Sequence, residues 1–374
     1  MRFFCSLLVH SFAVASSLLC LTSASCGANP VSERQAMSTL ATEPRETFRK
    51  NVVRLLVDHD YEALDAGYDA LKDGAGYFPN GNPKLAVFYE TLLTRGTDGN
   101  VVSDDGKDTF RLERSAALRS WLESRPDSVA ARVSLAMAQE KQAWELRGHD
   151  YADQLTPWQE QGFLSAITGA VETVSSITQW DPEAYGLLID IATETGMPQD
   201  VQDGLFHRAA SAYPDYPTIY VTRTTALLPK WGGSSTAICD LADSLANSSS
   251  DIAVLDYSVV AETMVDSKPK RLREIVEAGC LDWSLVKASF DRRAAVRGLN
   301  NFDGNMYLAF SAVMGDRDAA GRAAPHVAAY DARYWDSAQE FDFFLNWPTN
   351  VRRPDDPPTR PANRPMAPAT APLN

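Results

Sequence analysis

Cysteine is scarce in this 374-residue sequence, and positive charge is outnumbered by negative. Lys and Arg number 35 against 49 Asp and Glu, for a net charge of −14. A phosphate-binding protein concentrates cations on one face, and no such face is present. The densest basic stretch, Lys268 to Arg273, reads as one solvated helix turn, so nucleic acid is excluded as a partner. Of the 5 cysteines, none forms a Cys-x-x-Cys pair, so thioredoxin-type redox chemistry and zinc-ribbon sites are excluded. Also missing are a phosphate loop ending in Gly-Lys-Ser or Gly-Lys-Thr, a Gly-x-Ser-x-Gly elbow and two histidines at helical spacing. The acid-rich run from Asp98 to Asp108 lacks the Asp-x-Asp-x-Asp-Gly order of a calcium loop. No metal, cofactor or catalytic residue is therefore expected from motifs. Asp58-His59-Asp60, His149 and His207 are isolated, and adjacent helix residues point apart, so none of these converges on a ligand without help from elsewhere.

What is present begins with an export pattern. Arg2 opens an apolar run from Phe3 to Leu21, and the small residues Ser23, Ala24 and Ser25 precede Cys26. Residues 1–25 thus read as a signal peptide rather than a membrane span. The small residues before Cys26 resemble the lipobox of bacterial lipoproteins, with Ser23 standing where Leu is usual. The resemblance implies lipidation of Cys26 and membrane attachment through a lipid anchor. Cleavage near Ala24 or Ala28, leaving a soluble periplasmic protein, stays open beside it. Residues 26–43 are polar and suit a tether. Cys5 and Cys20 leave with the signal and Cys26 is accounted for if lipidated, so Cys239 and Cys280 remain as one pair in an oxidising compartment. They form either a disulfide or two buried thiols that never meet.

From 44 to 347 apolar residues recur at helical spacing with almost no alternation of the strand kind. Phe163, Ile167, Ala170, Val174 and Ile177 make one stripe; Tyr61, Leu64, Tyr68 and Leu71 make another. Gly74, Gly96, Gly148, Gly196, Gly279 and Gly315 stand where helices stop, and prolines such as Pro157, Pro182 and Pro198 stand at breaks or in first turns. Gly74 to Pro83 and Gly96 to Asp108 read as surface loops. A sub-boundary is expected near 247–250, and the Pro-rich segment 348–374 is expected to be disordered. The predicted class is all-α, a solenoid of antiparallel helix pairs with degenerate tetratricopeptide-like repeats. Pro214, Ala209 and Phe206 match that repeat's closing half, whereas Gly186 and Asp190 stand where its Trp and Gly belong.

The segment from Ala131 to Ser234, with AWELRGHDYAD, WDPEAYGLL and YPDYPTIY followed by LLPKWGGS, resembles an uncharacterised bacterial domain-of-unknown-function family with a Trp-Gly-Gly ending. The resemblance implies helical-repeat architecture and brings no activity. In its own right, the Tyr213 to Ser234 stretch reads as an aromatic helix ended by Pro229, a Gly232-Gly233 turn, and Ser234 as the next N-cap. Trp144, Arg147 and Tyr151 fall on one helix face. With Tyr216 and Trp231 they make a candidate patch for a protein or peptide partner. The plainer account is an Arg stacked on packed aromatics and a Trp under a tight turn. Two functions follow as expectations: a non-enzymatic scaffold of the cell envelope, or an envelope hydrolase of cell-wall material with carboxylates inside the superhelix.

Overall fold

The computed structural model describes residues 44–73, 76–94, 107–148, 154–248, 253–265 and 268–349. Cys26, Tyr151, His149, the signal and tether segments and the tail from 350 lie outside them. Among the described residues the chain is all-α, with no named strand; one isolated bridge, Tyr77 to Pro83, closes the turn of the first predicted loop. No helix among them is long and apolar enough to cross a membrane.

The chain divides into two units. The first holds the described residues up to 265 together with 279–299; the second holds 268–278 and 300–349. The division differs from the sub-boundary expected at 247–250. The chain leaves the first unit only after 265 and returns at Gly279.

In the first unit the helices are α1 (Arg45–Val57), α2 (Tyr61–Asp69), α3 (Lys84–Leu93), α4 (Lys107–Ser124), α5 (Val129–Arg147), α6 (Pro157–Val174), α7 (Pro182–Glu194), α8 (Gln199–Ala212), α9 (Pro217–Ala226), α10 (Ser235–Ala246) and α11 (Ala253–Val265), followed after the excursion by α13 (Trp283–Val296). Their starts are fixed by side chains that accept otherwise orphaned N–H groups: Asp60 from Ala63, Ser128 from Ala131, Asp181 from Ala184, and Thr156 in a capping box with Gln159. α5 stops at Gly148, whose φ of 74° a side chain would resist. The predicted stripe on α6 is buried along its length, and α6 packs on α5. Further along, α7 packs on α9, α9 on α11 and α11 on α13, with α8 and α10 covering α7 and α11. Tyr61, Leu64, Tyr68 and Leu71 are all core residues.

Cys239 of α10 and Cys280 are joined in a disulfide with Cα atoms 4.9 Å apart. The bond pins α10 to the segment where the chain re-enters this unit. The loop it closes spans 41 residues of sequence separation. Restricting the unfolded chain by a loop of that size stabilises by about 4 kcal/mol. Replacing both cysteines by serine should therefore lower the midpoint of urea unfolding markedly, and a reductant should do the same to the native chain while leaving the double variant unmoved.

The second unit contains α12 (Arg271–Glu277), α14 (Asn301–Met314), α15 (Arg317–Ala323) and α16 (Ala338–Asn346), with α14 packed on each of the other three. Asn300 caps α14 in a second capping box, and α14 ends at Gly315 in the left-handed conformation. Trp335 is buried with its indole N–H donated to Asn305 at 3.0 Å.

Candidate functional site

A cavity of about 470 Å³ opens in the first unit between α2, the α4–α5 turn and the α6–α7 turn. α2 supplies Asp65, Tyr68 and Asp69 to its wall, and Lys72 and Asp73 follow just beyond the helix. Their four-residue spacing on α2 aims Asp65 and Asp69 at one side, and Asp73 of the following turn lines the same cavity. The α4–α5 turn adds Arg125 and Asp127, and the α6–α7 turn adds Trp180 and Asp181, with Tyr213 beside Trp180.

The two cations are already engaged. Arg125 and Ser128 both donate to Asp65, and Lys72 donates to Asp69 at 2.9 Å. Asp73 and Asp127 stand exposed at the rim, in no ion pair among the described residues. Five carboxylates against two occupied cations leave the cleft negative. Its aromatic side is ordered: Tyr213 donates its hydroxyl to the Trp180 carbonyl at 2.9 Å, the Trp180 indole donates to Ile177 at 3.0 Å, and Tyr185 packs edge-on to both rings. At the floor, Asp181 is buried and accepts from the hydroxyls of Tyr89 at 2.7 Å and Tyr68 at 3.1 Å and from the Ala184 N–H at 2.8 Å. Burial raises its pKa, and the three donors oppose that rise. The same burial, with the Asp181 charge adding to it, pushes the Tyr68 and Tyr89 hydroxyls far up, so both remain donors.

Asp181 begins a line of acids along α7. Glu183 is buried and accepts from Tyr216 at 2.8 Å and Thr218 at 2.9 Å; burial raises its pKa to about 7. Seven and eleven residues further on, Asp190 and Glu194 share its face of the helix. Burial and the charges of Glu140 and Glu183 raise Asp190 to about 8. Glu194 is raised to about 9, by burial first and then by the charge of Glu140 of α5.

The predicted partner patch assembles only in part. Trp144, Arg147 and Trp231 do come together: the Arg147 guanidinium lies 5.1 Å over the Trp144 ring, and Trp231 meets Trp144 edge-on at 5.8 Å. Both indoles are half-buried, and the Trp144 N–H is donated to Glu194 at 2.7 Å. Tyr216 is a correction. It is 1% exposed, since Pro217 starts α9 immediately after it and turns its hydroxyl inward to Glu183. Around it the Tyr213 to Ser234 stretch folds as expected: Gly232 sits at φ 86°, a Cβ on Gly233 would meet the Leu227 carbonyl at 2.1 Å, and Ser234 accepts from Ala237. His59, with φ 60°, occupies a helix junction whose neighbour Asp60 is spent as a cap. Among the described residues no group of three or more His, Cys, Asp or Glu side chains is arranged to hold a metal ion.

Sequence reasoning missed the cleft. Its signal was the triplet Asp65, Asp69 and Asp73, spaced as a stripe beside the apolar stripe of α2. Compared with family models, characterised proteins and solved structures, the chain matches none.

Proposed function

We propose that this chain is an exported, non-enzymatic helical-repeat scaffold, a tetratricopeptide-like solenoid that binds a protein or peptide partner in the bacterial cell envelope. In this reading the cleft between α2 and the two turns grips an extended segment carrying Lys or Arg. The observation that carries it is the cleft's composition: rim carboxylates at Asp73 and Asp127 in no described ion pair, beside an ordered aromatic wall of Trp180 and Tyr213. Such a wall suits cation–π contact and apolar stems, and the negative rim orients a cation toward it. The succession of α7, α9, α11 and α13, each packed on the next, supports a stacked-pair architecture. The Cys239–Cys280 bond accords with an oxidising compartment. Cys26, if lipidated, supplies the membrane anchor. The acid lining disfavours nucleic acid.

The competing reading, an envelope hydrolase, needs two carboxylates about 5–10 Å apart with a bond between them. The paired cleft acids Asp65 and Asp69 are instead taken up by Arg125, Ser128 and Lys72.

A photo-crosslinking residue in place of Gln179, on the cleft wall, tests the proposal in the native envelope. One discrete crosslinked species is expected, much weakened when Asp73→Asn and Asp127→Asn are combined. A label at exposed Glu172 serves as the control. Identical capture from both positions would contradict the assignment.

A further inference from the structure

One ring of the cleft's aromatic wall is carried by a short turn. Tyr213 ends α8 and Tyr216 precedes α9, leaving Pro214 and Asp215 between them. A surface turn ordinarily leaves its carbonyls to water. Here three successive carbonyls accept from the protein itself. The Tyr213 carbonyl takes the Tyr216 N–H at 3.2 Å, and the Pro214 carbonyl takes the Tyr220 hydroxyl of α9 at 2.7 Å. The Asp215 carbonyl takes the Tyr77 hydroxyl at 3.4 Å and the Arg297 guanidinium, which also pairs with the Asp215 carboxylate at 3.3 Å. Donors from the first loop, from α9 and from the end of α13 thus converge on one turn. None of Tyr77, Tyr220 and Arg297 lines the cleft, but Tyr213 does, with its hydroxyl donated to the Trp180 carbonyl.

We propose that Arg297 and Tyr220 are positioning residues of the cleft, fastening the turn 213–216 so that Tyr213 stands against Trp180 before any ligand arrives. Both are fixed well enough to do so. The Arg297 side chain is 3% exposed and is held from behind by Asp256 of α11 at 3.4 Å. The Tyr220 ring is buried and packs edge-on to Phe206 at 5.9 Å. Each therefore acts as a peg set in the core, with only its polar end reaching the turn. A side chain held in its bound place by such supports need not be ordered by the ligand, so affinity is not lost to ordering it. The consequence for affinity rests on reading the cleft as the site of a basic segment, whereas the position of the wall is measurable without a ligand.

The indole N–H resonance of Trp180 in the full chain, assigned through Trp180→Phe, reads the wall directly. Tyr220→Phe removes one hydroxyl and leaves the ring packed; Arg297→Lys, the second variant, keeps the charge facing Asp256 and loses the fork that grips Asp215. Tyr257→Phe is the control: in the same unit it deletes a buried hydroxyl that accepts from the Asp282 N–H at 3.0 Å and leaves the bonds of the turn in place. Without ligand, the Trp180 resonance should shift or broaden in Tyr220→Phe and Arg297→Lys and stay put in Tyr257→Phe. A short unstructured peptide of alternating Arg and Ala should then bind Tyr220→Phe roughly fivefold more weakly than it binds the wild type or Tyr257→Phe. An unmoved Trp180 resonance in Tyr220→Phe, an affinity equal to that of the wild type, or an equal loss in Tyr257→Phe would overturn the proposal. A wild type that binds no such peptide would sink the reading of the cleft instead, and the Trp180 resonance alone would then decide the positioning role.

Discussion

Raising the pH from about 5.5 to about 8.5 should lower the melting temperature of this protein by on the order of 10 °C, the reverse of an ordinary acidic protein whose carboxylates are ion-paired. The cause is the set of buried acids. Glu183 and Asp256 are both raised to about 7, chiefly by burial. A carboxyl with its folded pKa above its unfolded one binds protons more tightly when folded. It contributes stability in full below the unfolded value near 4, and loses it as pH rises through the folded value. From about pH 5.5 to 7 each of the two gives up about 2 kcal/mol. Asp190 and Glu194, raised to about 8 and about 9, extend the loss to higher pH. Both keep some exposure to solvent, which screens them in part, so each contributes less than the fully buried pair. Calorimetry across that range checks the prediction, and a melting temperature that rises with pH would contradict it.

Removing Arg297 should cost about 3–5 kcal/mol at alkaline pH, the usual penalty for stranding a buried charge. Arg297 follows α13 with its side chain 3% exposed, and it reaches Asp256 of α11, which is 0% exposed, at 3.4 Å. It also donates to the Asp215 carbonyl and lies 4.9 Å over the Tyr77 ring, so one guanidinium ties α11, the turn before α9 and the first loop together. Gly298, next in the chain, lies so close to that loop that a Cβ would meet the Pro79 carbonyl at 2.2 Å. The second carboxylate oxygen of Asp256 is buried and accepts nothing, which is where a proton settles once pH falls below about 7. Arg297→Met should therefore be far more destabilising at about pH 8.5 than at about pH 5.5, because at the lower pH it strands a neutral acid. Denaturant midpoints at the two pH values measure this, and equal losses at both would show that Asp256 stays ionised throughout.

How much of this was legible beforehand depended on whether the signal was local. The α6 and α2 stripes were readable because helical spacing is a property of neighbouring residues, and every member is buried. The stops at Gly148, Gly196, Gly279 and Gly315 were readable for the same reason, all four having positive φ. The contact of Trp144 with Trp231 was not, since the two are brought together only by the packing of the helices between them. Cys239 and Cys280 could be recognised as a remaining pair but not as a bond, because sequence carries no separation in space. The acids of α7 are the instructive failure. Asp190 looked like a departure from a repeat pattern, yet Glu183, Asp190 and Glu194 share one face with Leu187, which is buried. An acid in line with a core stripe needs a partner or a proton, and that inference was available from spacing alone. Tyr216 was misplaced for the converse reason: an aromatic in a turn reads as exposed until its buried acceptor is known.

The central claim is that the cleft of Asp73, Asp127, Trp180 and Tyr213 recognises a basic, extended segment, and equilibrium titration with short unstructured peptides tests it most directly. Tight binding of Lys- or Arg-bearing peptides is predicted, weakening steeply with added salt, about tenfold weaker when Asp73→Asn and Asp127→Asn are combined, and absent for acidic peptides of equal length. Affinity indifferent to peptide charge, or unchanged in that double variant, would contradict it.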